Sequence, residues 1–178
     1  MAYLWYMKEL IIAKARAGDI QTIHDMAQVV FRHTYRDILS PEQMEYMMEW
    51  MYSPDNLARQ LEDGHCYYIA YSGGEPCGYL SVQSEGADSD GVEVFHLQKI
   101  YVMPSFQGCG LGRRLFEQAV SHANTLRRSP KARIELNVNR SNRAVDFYRH
   151  LGLSVLRQDD FHIGHGFYMN DYIMGIEL

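Results

Sequence analysis

Along this chain the apolar positions change period several times, and each change marks an element. Residues 10–16 predict a first strand, and Gly18-Asp19 then supplies a break, with Asp19 as helix N-cap. Ile20, Ile23, Ala27, Val30 and Phe31 recur at helical spacing, which predicts a first helix to about Thr34. After a linker over 35–39, Ser40-Pro41-Glu42-Gln43 reads as a capping box with proline at the first helical position. Met44, Met47, Met48 and Met51 form one face of that second helix, as adaptable core filler or as a plastic substrate wall. Ser53-Pro54 starts a further short helix through Leu57 and Leu61.

The pattern then turns to strands. Residues 66–71 and 77–82 flank Ser72-Gly73-Gly74-Glu75, a hairpin with a glycine turn, and a polar loop over 84–91 follows. In the next strand a two-residue period places Val94, His96, Gln98, Ile100 and Val102 on one face, read as the inward one. A third long helix from about Gly110 to Leu126 buries Leu111, Leu115, Phe116, Ala119, Val120 and Ala123. Residues 134–138 form a fifth strand, and 142–150 a short helix stopped by a left-handed Gly152. Two last strands run around 153–157 and 167–177. The order is β-α-α-β-β-β-α-β-α-β-β, the extra short helix aside. It predicts an α/β or α+β fold in which a mixed central sheet of about seven strands carries helices on both faces, as one domain over 1–178. Residues 1–9 are aromatic-rich without a period and fit an extra strand, an arm on a partner subunit or a loose start equally.

Composition narrows the classes. The chain has 178 residues, 47% hydrophobic and 22% charged, as expected for a globular protein with one well-filled core. Its net charge of -5 argues against a nucleic-acid partner and suits a cationic one, although a dispersed acidic surface for solubility has the same sign. Cys66, Cys77 and Cys109 are odd in number and hold no C-x-x-C pair, so neither a disulfide framework nor a zinc site is expected, and a reducing cytoplasm fits. Lys8, Glu9, Lys14 and Arg16 interrupt the apolar start well short of a membrane span, and no export signal is read.

Candidate chemistry centres on Phe95 to Gly112, FHLQKIYVMPSFQGCGLG, read as strand, glycine-rich turn and helix start. Gly108, Gly110 and Gly112 leave little bulk at the helix head, so main-chain N–H groups and the positive end of the helix dipole can close on a phosphate. A dinucleotide fingerprint fails because its third glycine falls one residue early, and a Walker loop fails because Arg113-Arg114 stand where Lys-Ser/Thr is required. The spacing Q/R-x-x-G-x-G/A at Gln107, Gly110 and Gly112, after a strand ending Ile100-Tyr101-Val102, resembles the acetyl-CoA pyrophosphate loop of the GNAT family of N-acetyltransferases.

A second stretch, Asn139-Arg140-Ser141-Asn142-Arg143-Ala144-Val145-Asp146-Phe147-Tyr148-Arg149-His150-Leu151-Gly152-Leu153, resembles the family phrase N-x-x-A-x-x-x-Y-x-x-x-G-F after the fifth strand. It departs at Ser141, where asparagine is expected, and at Leu153, where phenylalanine is. The resemblance implies acetyl-CoA as cosubstrate and no metal. It implies cofactor contacts from Ile100, Tyr101, Val102, Gln107, Gly108, Cys109, Gly110, Leu111, Gly112, Arg113, Asn139, Asn142, Ala144 and Tyr148. Ala144 would give the pantetheine arm room. Tyr148 would protonate the leaving sulfur, the Ile100 N–H would meet the oxyanion, and Val102 would pair with the pantetheine amide. More narrowly, the Ser40 helix start, Ser105-Phe106-Gln107 and the ending over 167–174 are similar to bacterial PaiA-type polyamine acetyltransferases, which implies spermidine or spermine as acceptors.

Acetyl transfer to an amine requires a neutral nucleophile. An alkylammonium of pKa about 10.4 is neutral in only about 1 in 2,500 molecules near pH 7, a cost of about 4.6 kcal/mol. His96 is the candidate base, where several family members carry glutamate; a buried histidine bonded to a backbone carbonyl is the alternative. Cys109 lies in the phosphate turn and is no nucleophile, and His162 and His165, read as an acceptor-end loop, lack a third metal ligand. The rival acceptors are a protein N-terminus or a lysine. The rival class is a non-catalytic acyl-CoA-binding protein. No nucleic acid or membrane partner is expected, and a homodimer is left open.

Overall fold

The computed structural model describes residues 9–178; of the aromatic-rich start, residues 1–8 lie outside the described residues. The elements are β1 (Leu10–Lys14), α1 (Ile20–Tyr35), α2 (Pro41–Tyr52), α3 (Pro54–Glu62), β2 (Cys66–Ser72), β3 (Glu75–Ala87), β4 (Glu93–Val102), α4 (Leu111–Leu126), β5 (Ala132–Asn139), α5 (Ala144–His150), β6 (Ser154–Gly164) and β7 (Phe167–Glu177). The strands follow the order β1-β2-β3-β4-β5-β7-β6, with β4 and β5 parallel and β1-β2, β2-β3, β5-β7 and β7-β6 antiparallel. This is the mixed seven-stranded α+β architecture that the sequence pattern predicts.

Two compact units are formed, one from residues 9–82 with Lys99–Ala119, the other from Gln83–Gln98 with Val120–Leu178. In the first, α1 presents Ile23, Met26, Ala27, Val30 and Phe31 inward and α2 presents Met44, Met47, Met48 and Tyr52. Burying each such large side chain contributes roughly 1.5–3 kcal/mol. The Ser40 hydroxyl accepts from Gln43 N–H at 3.1 Å, so the expected helix cap is made. Asp19 holds the N-cap position of α1, as expected, but without a side-chain cap bond. Its carboxylate accepts instead from the Arg16 N–H at 2.8 Å and closes a 3₁₀ turn ahead of α1.

Within the first unit, Gly78 on β3 marks a close approach. A Cβ there would lie 2.9 Å from the Tyr101 carbonyl oxygen and 3.1 Å from Leu115 Cδ1. The carbonyl belongs to a strand and has little room to yield, so Gly78→Ala is expected to cost about 1–3 kcal/mol. The check is urea unfolding, where the midpoint should fall at unchanged slope.

The second unit has its core in Phe95, Leu97, Ala123, Ile134, Leu136, Ile173 and Met174. Two strands are longer than their patterns suggest. β3 continues to Ala87 through the stretch read as a polar loop, and β6 runs on to Gly164. Every residue of β6 from Ser154 to His162 is exposed, and no apolar phase marks its course.

Candidate active site

In the first unit, β4 passes into a 3₁₀ turn at Pro104–Phe106, and Phe106 is buried. The Gln107 side-chain amide donates to the Val102 carbonyl at 3.1 Å, tying the turn back to the strand end. Gly108 (φ 77°) and Gly110 (φ 84°) are both left-handed, the region that disfavours any side chain. Where their Cβ atoms would stand, no heavy atom lies within 4 Å, so the turn faces open space. The first helical hydrogen bond of α4 runs from Arg114 N–H to Gly110 O at 3.2 Å. The N–H groups of Leu111, Gly112 and Arg113 therefore precede the helical ladder.

Exposed Arg113 and Arg114 stand in this first turn, which has no acidic residue. Helix heads ordinarily favour acidic side chains, so the charge is arranged for an anion. The Cys109 thiol donates to the Phe106 carbonyl, an anchoring contact within the turn.

The Tyr101 side chain packs within this unit, which leaves its main chain as the part of the residue able to meet a cofactor. Its ring packs on Phe31 and Tyr79 with centroids 6.2 and 5.6 Å apart, and its hydroxyl meets Tyr35 at 3.3 Å. The same β4 phase carries Lys99, which the sequence reading passed over. Lys99 is 8% exposed. Its ammonium donates to Gln60 Oε1 at 2.6 Å and to the Tyr67 hydroxyl at 2.7 Å, and lies 5.4 and 5.2 Å from the centroids of Tyr52 and Tyr67. None of these partners is an anion, and burial pulls its pKa down to about 7. The signal was available: a lysine in phase with Phe95 and Leu97, the more deeply buried side of β4. The inward reading of the His96 phase is corrected accordingly.

In the second unit, the His96 ring is 14% exposed, with Nδ1 3.4 Å from Glu85 Oε1. The partner is a carboxylate, not the backbone carbonyl of the alternative reading. Glu85 lies in the part of β3 that extends beyond the strand expected from the sequence. Burial lowers the His96 pKa below its ordinary 6.5, against the opposing pull of Glu85 and Glu135. His96 is the register partner of Glu135 across the parallel pair. Buried Glu135 is held by Arg133 at 2.7 Å and Arg157 at 3.2 Å. Burial opposes its ionisation, but the two guanidiniums outweigh that and hold its carboxyl below the ordinary range. A neutral imidazole flanked by carboxylates is chemically able to accept a proton from an ammonium group.

Pairing between β4 and β5 ends at His96↔Glu135, whereas β5 pairs with β7 as far as Asn139↔Asp171. Asn139 and Asn142 close the β5–α5 connection: Asn139 Oδ1 accepts from Ser141 N–H and Asn142 Oδ1 from Ala144 N–H, both at 2.9 Å. Ala144 and Tyr148 lie four apart on α5, on one face as expected. Tyr148 is 6% exposed. Gly152 (φ 99°) ends the helix. His162, expected in a loop, sits in β6 with its ring 5.1 Å from Tyr168, and only His165 and Gly166 form the turn. Among the described residues no group of three metal-ligating side chains is present, and no helix is long and apolar enough to cross a membrane.

The family model of the acetyltransferase (GNAT) domain matches residues 35–167. The chain belongs to this family, and it is an N-acetyltransferase of the GNAT type. Its relatives include an uncharacterised N-acetyltransferase in the pepI 3′ region of Lactobacillus delbrueckii subsp. lactis, 29% identical over 160 residues, covering 86% of this chain and 89% of the relative. Among solved structures it is similar to the PaiA N-acetyltransferase of Thermoplasma acidophilum in complex with coenzyme A, with TM-score 0.75, 20% identity, and 96% and 99% of the two chains covered. The ribosomal-protein-S18-alanine N-acetyltransferase of Escherichia coli also shares the fold, with TM-score 0.67, 18% identity, and 95% and 94% coverage.

Proposed function

We propose that this chain transfers the acetyl group of acetyl-CoA to a primary amine of a small polyamine by direct attack. The observation that carries the reading is the head of α4, where two left-handed glycines, unladdered N–H groups and two arginines await an anion. Gln107, Gly108, Cys109, Gly110, Leu111, Gly112 and Arg113 would hold the pyrophosphate there, and Ile100, Val102, Asn139, Asn142 and Ala144 the pantetheine arm. Acetyl-CoA, when bound, supplies an acyl carbon open to an amine and a thiolate able to leave.

The protein's own groups supply the rest. His96, neutral near pH 7, removes the proton that makes the amine unreactive, and Glu85 steadies the imidazolium that forms. The Ile100 N–H donates to the carbonyl oxygen as charge develops on it. Tyr148 holds the proton the sulfur needs. A polyamine is favoured over a protein acceptor by the net charge of -5 and by the similarity of the helix start at Ser40 and of the 167–174 ending to PaiA-type enzymes.

The test is turnover of acetyl-CoA against a panel of polyamines, monoamines and peptides. Polyamine acetylation is expected, and turnover of peptides alone would overturn the reading. The role of His96 has its own signature. A base with its pKa below 6.5 loses activity as pH falls through that pKa, so wild-type kcat/KM should show an acid limb below pH 6.5. His96→Gln should lose that limb and fall by roughly 10²-fold or more; an unchanged limb would remove His96 from the role.

A further inference from the structure

Two buried carboxylates of the second unit are served very differently. Glu135 is matched by Arg133 and Arg157. Asp171, on β7 and 1% exposed, receives one amide hydrogen bond, from Asn137 Nδ2 to Oδ2 at 3.3 Å. Its Oδ1 is buried and has no hydrogen-bond partner among the described residues. Leaving a carboxylate oxygen buried without a donor is costly, more so when the group is charged.

The neighbouring cations are committed elsewhere. Arg140 donates to the Asp159 carbonyl and to Asp160, Arg133 to Asp88 and Glu135, and Arg157 to Glu135. Burial pushes the Asp171 carboxyl above its ordinary value near 3.8, and neither the Asn137 bond nor the more distant charge of Arg140 cancels that.

The strand register gives Asp171 its place. It lies opposite Asn139 on β5 and opposite Asp159 on β6. Asn139 and Glu135 have the same parity on β5, so Asp171 shares the sheet face of Glu135 and of its partner His96. Asn139 is four positions on from Glu135, roughly 13 Å along the strand. In that interval β5 has no β4 pairing.

We infer that Asp171 is the anchor for the non-reacting ammonium group of a multiply charged acceptor. This rests on the polyamine reading above and names the residue that reads the substrate's second charge. The nitrogen that attacks must shed its proton at one end of this face. A second nitrogen several carbons away keeps its charge, and the Asp171 carboxylate offers it the acceptor atom and the neutralisation that the protein withholds from Asp171. Charge-assisted contacts of this kind are the strong ones, and their loss appears in binding rather than in the chemical step.

The experiment compares steady-state kinetics with spermidine and with n-butylamine, for the wild type and for Asp171→Asn. Wild type should show a KM for spermidine at least about tenfold below that for n-butylamine. Asp171→Asn should raise the spermidine KM by about tenfold or more, move kcat by less than about threefold, and leave the n-butylamine KM and the acetyl-CoA KM in place. Equal wild-type KM values for the two amines would overturn the anchor without any variant. So would a spermidine KM that the substitution leaves unchanged, or one that rises in step with the n-butylamine KM. A wild type that binds coenzyme A but acetylates no amine would overturn the polyamine reading itself, and the anchor with it.

Discussion

Replacing Tyr148 by phenylalanine is expected to lower kcat by roughly 10²- to 10⁴-fold, the range over which a positioned proton donor acts. The substitution removes one oxygen from a side chain that is 6% exposed and keeps its ring, so the packing of α5 survives and the loss reads chemistry rather than folding. The proton matters because a thiolate departs more readily as a thiol. An acetyl thioester of a more acidic thiol needs that proton less, and with such a donor the gap between wild type and variant should narrow. Single-turnover rates with both donors make the measurement. A Tyr148→Phe enzyme with wild-type rates on acetyl-CoA, or a gap of equal size with both donors, would assign the leaving-group proton to another group.

The second large effect concerns stability. Lys99 has a folded-state pKa of about 7 against an ordinary 10.5, so between those values the unfolded chain binds the proton and the folded chain does not. Unfolding free energy should therefore rise with pH over this window, by up to about 1.4 kcal/mol per unit from this one group, and lose that contribution as pH falls toward 7. Buried Cys77, pushed up to about 11 from 9.0, and buried Tyr52, Tyr67 and Tyr79, also raised by burial, act in the opposite sense at higher pH, so the difference in slope between wild type and a variant without the lysine isolates it. Lys99→Met keeps the chain length and removes the charge. It should flatten the pH dependence and match or exceed wild-type stability at pH 7, since an apolar isostere avoids the cost of a buried ion. Lys99→Ala should instead lose about 2–4 kcal/mol through the cavity left beside Gln60 and Tyr67. Urea unfolding at pH 7, 8 and 9 checks all three proteins, and equal slopes for wild type and Lys99→Met would show that Lys99 titrates normally.

The local geometry of the candidate site was legible because it depends on a few neighbouring residues. The turn over 107–112 and the Ala144/Tyr148 spacing are short-range patterns, and both form as expected. The surroundings of His96 were less legible. Its partner Glu85 comes from a stretch with no apolar alternation, Val82-Gln83-Ser84-Glu85-Gly86-Ala87, which is strand as the continuation of β3 in the sheet and not by a pattern of its own. β6 was underestimated at 153–157 for the same reason. It is exposed along most of its length, and its pairing with β7 holds it rather than burial.

By itself the sequence determined the elements whose signal is short-ranged. The Ser40 cap, the helical faces of α1 and α4, the Gly73-Gly74 hairpin and the glycine turn before α4 all follow from side-chain period and backbone freedom within a few residues. Only the tertiary structure decided what charged groups meet. That Lys99 is enclosed by tyrosines and an amide, that Glu135 receives two arginines, and that Asp171 is buried with an oxygen unmatched depend on strands distant in sequence lying side by side. Burial and pairing, and hence the pKa values that follow from them, are set by those neighbours, which no local pattern encodes.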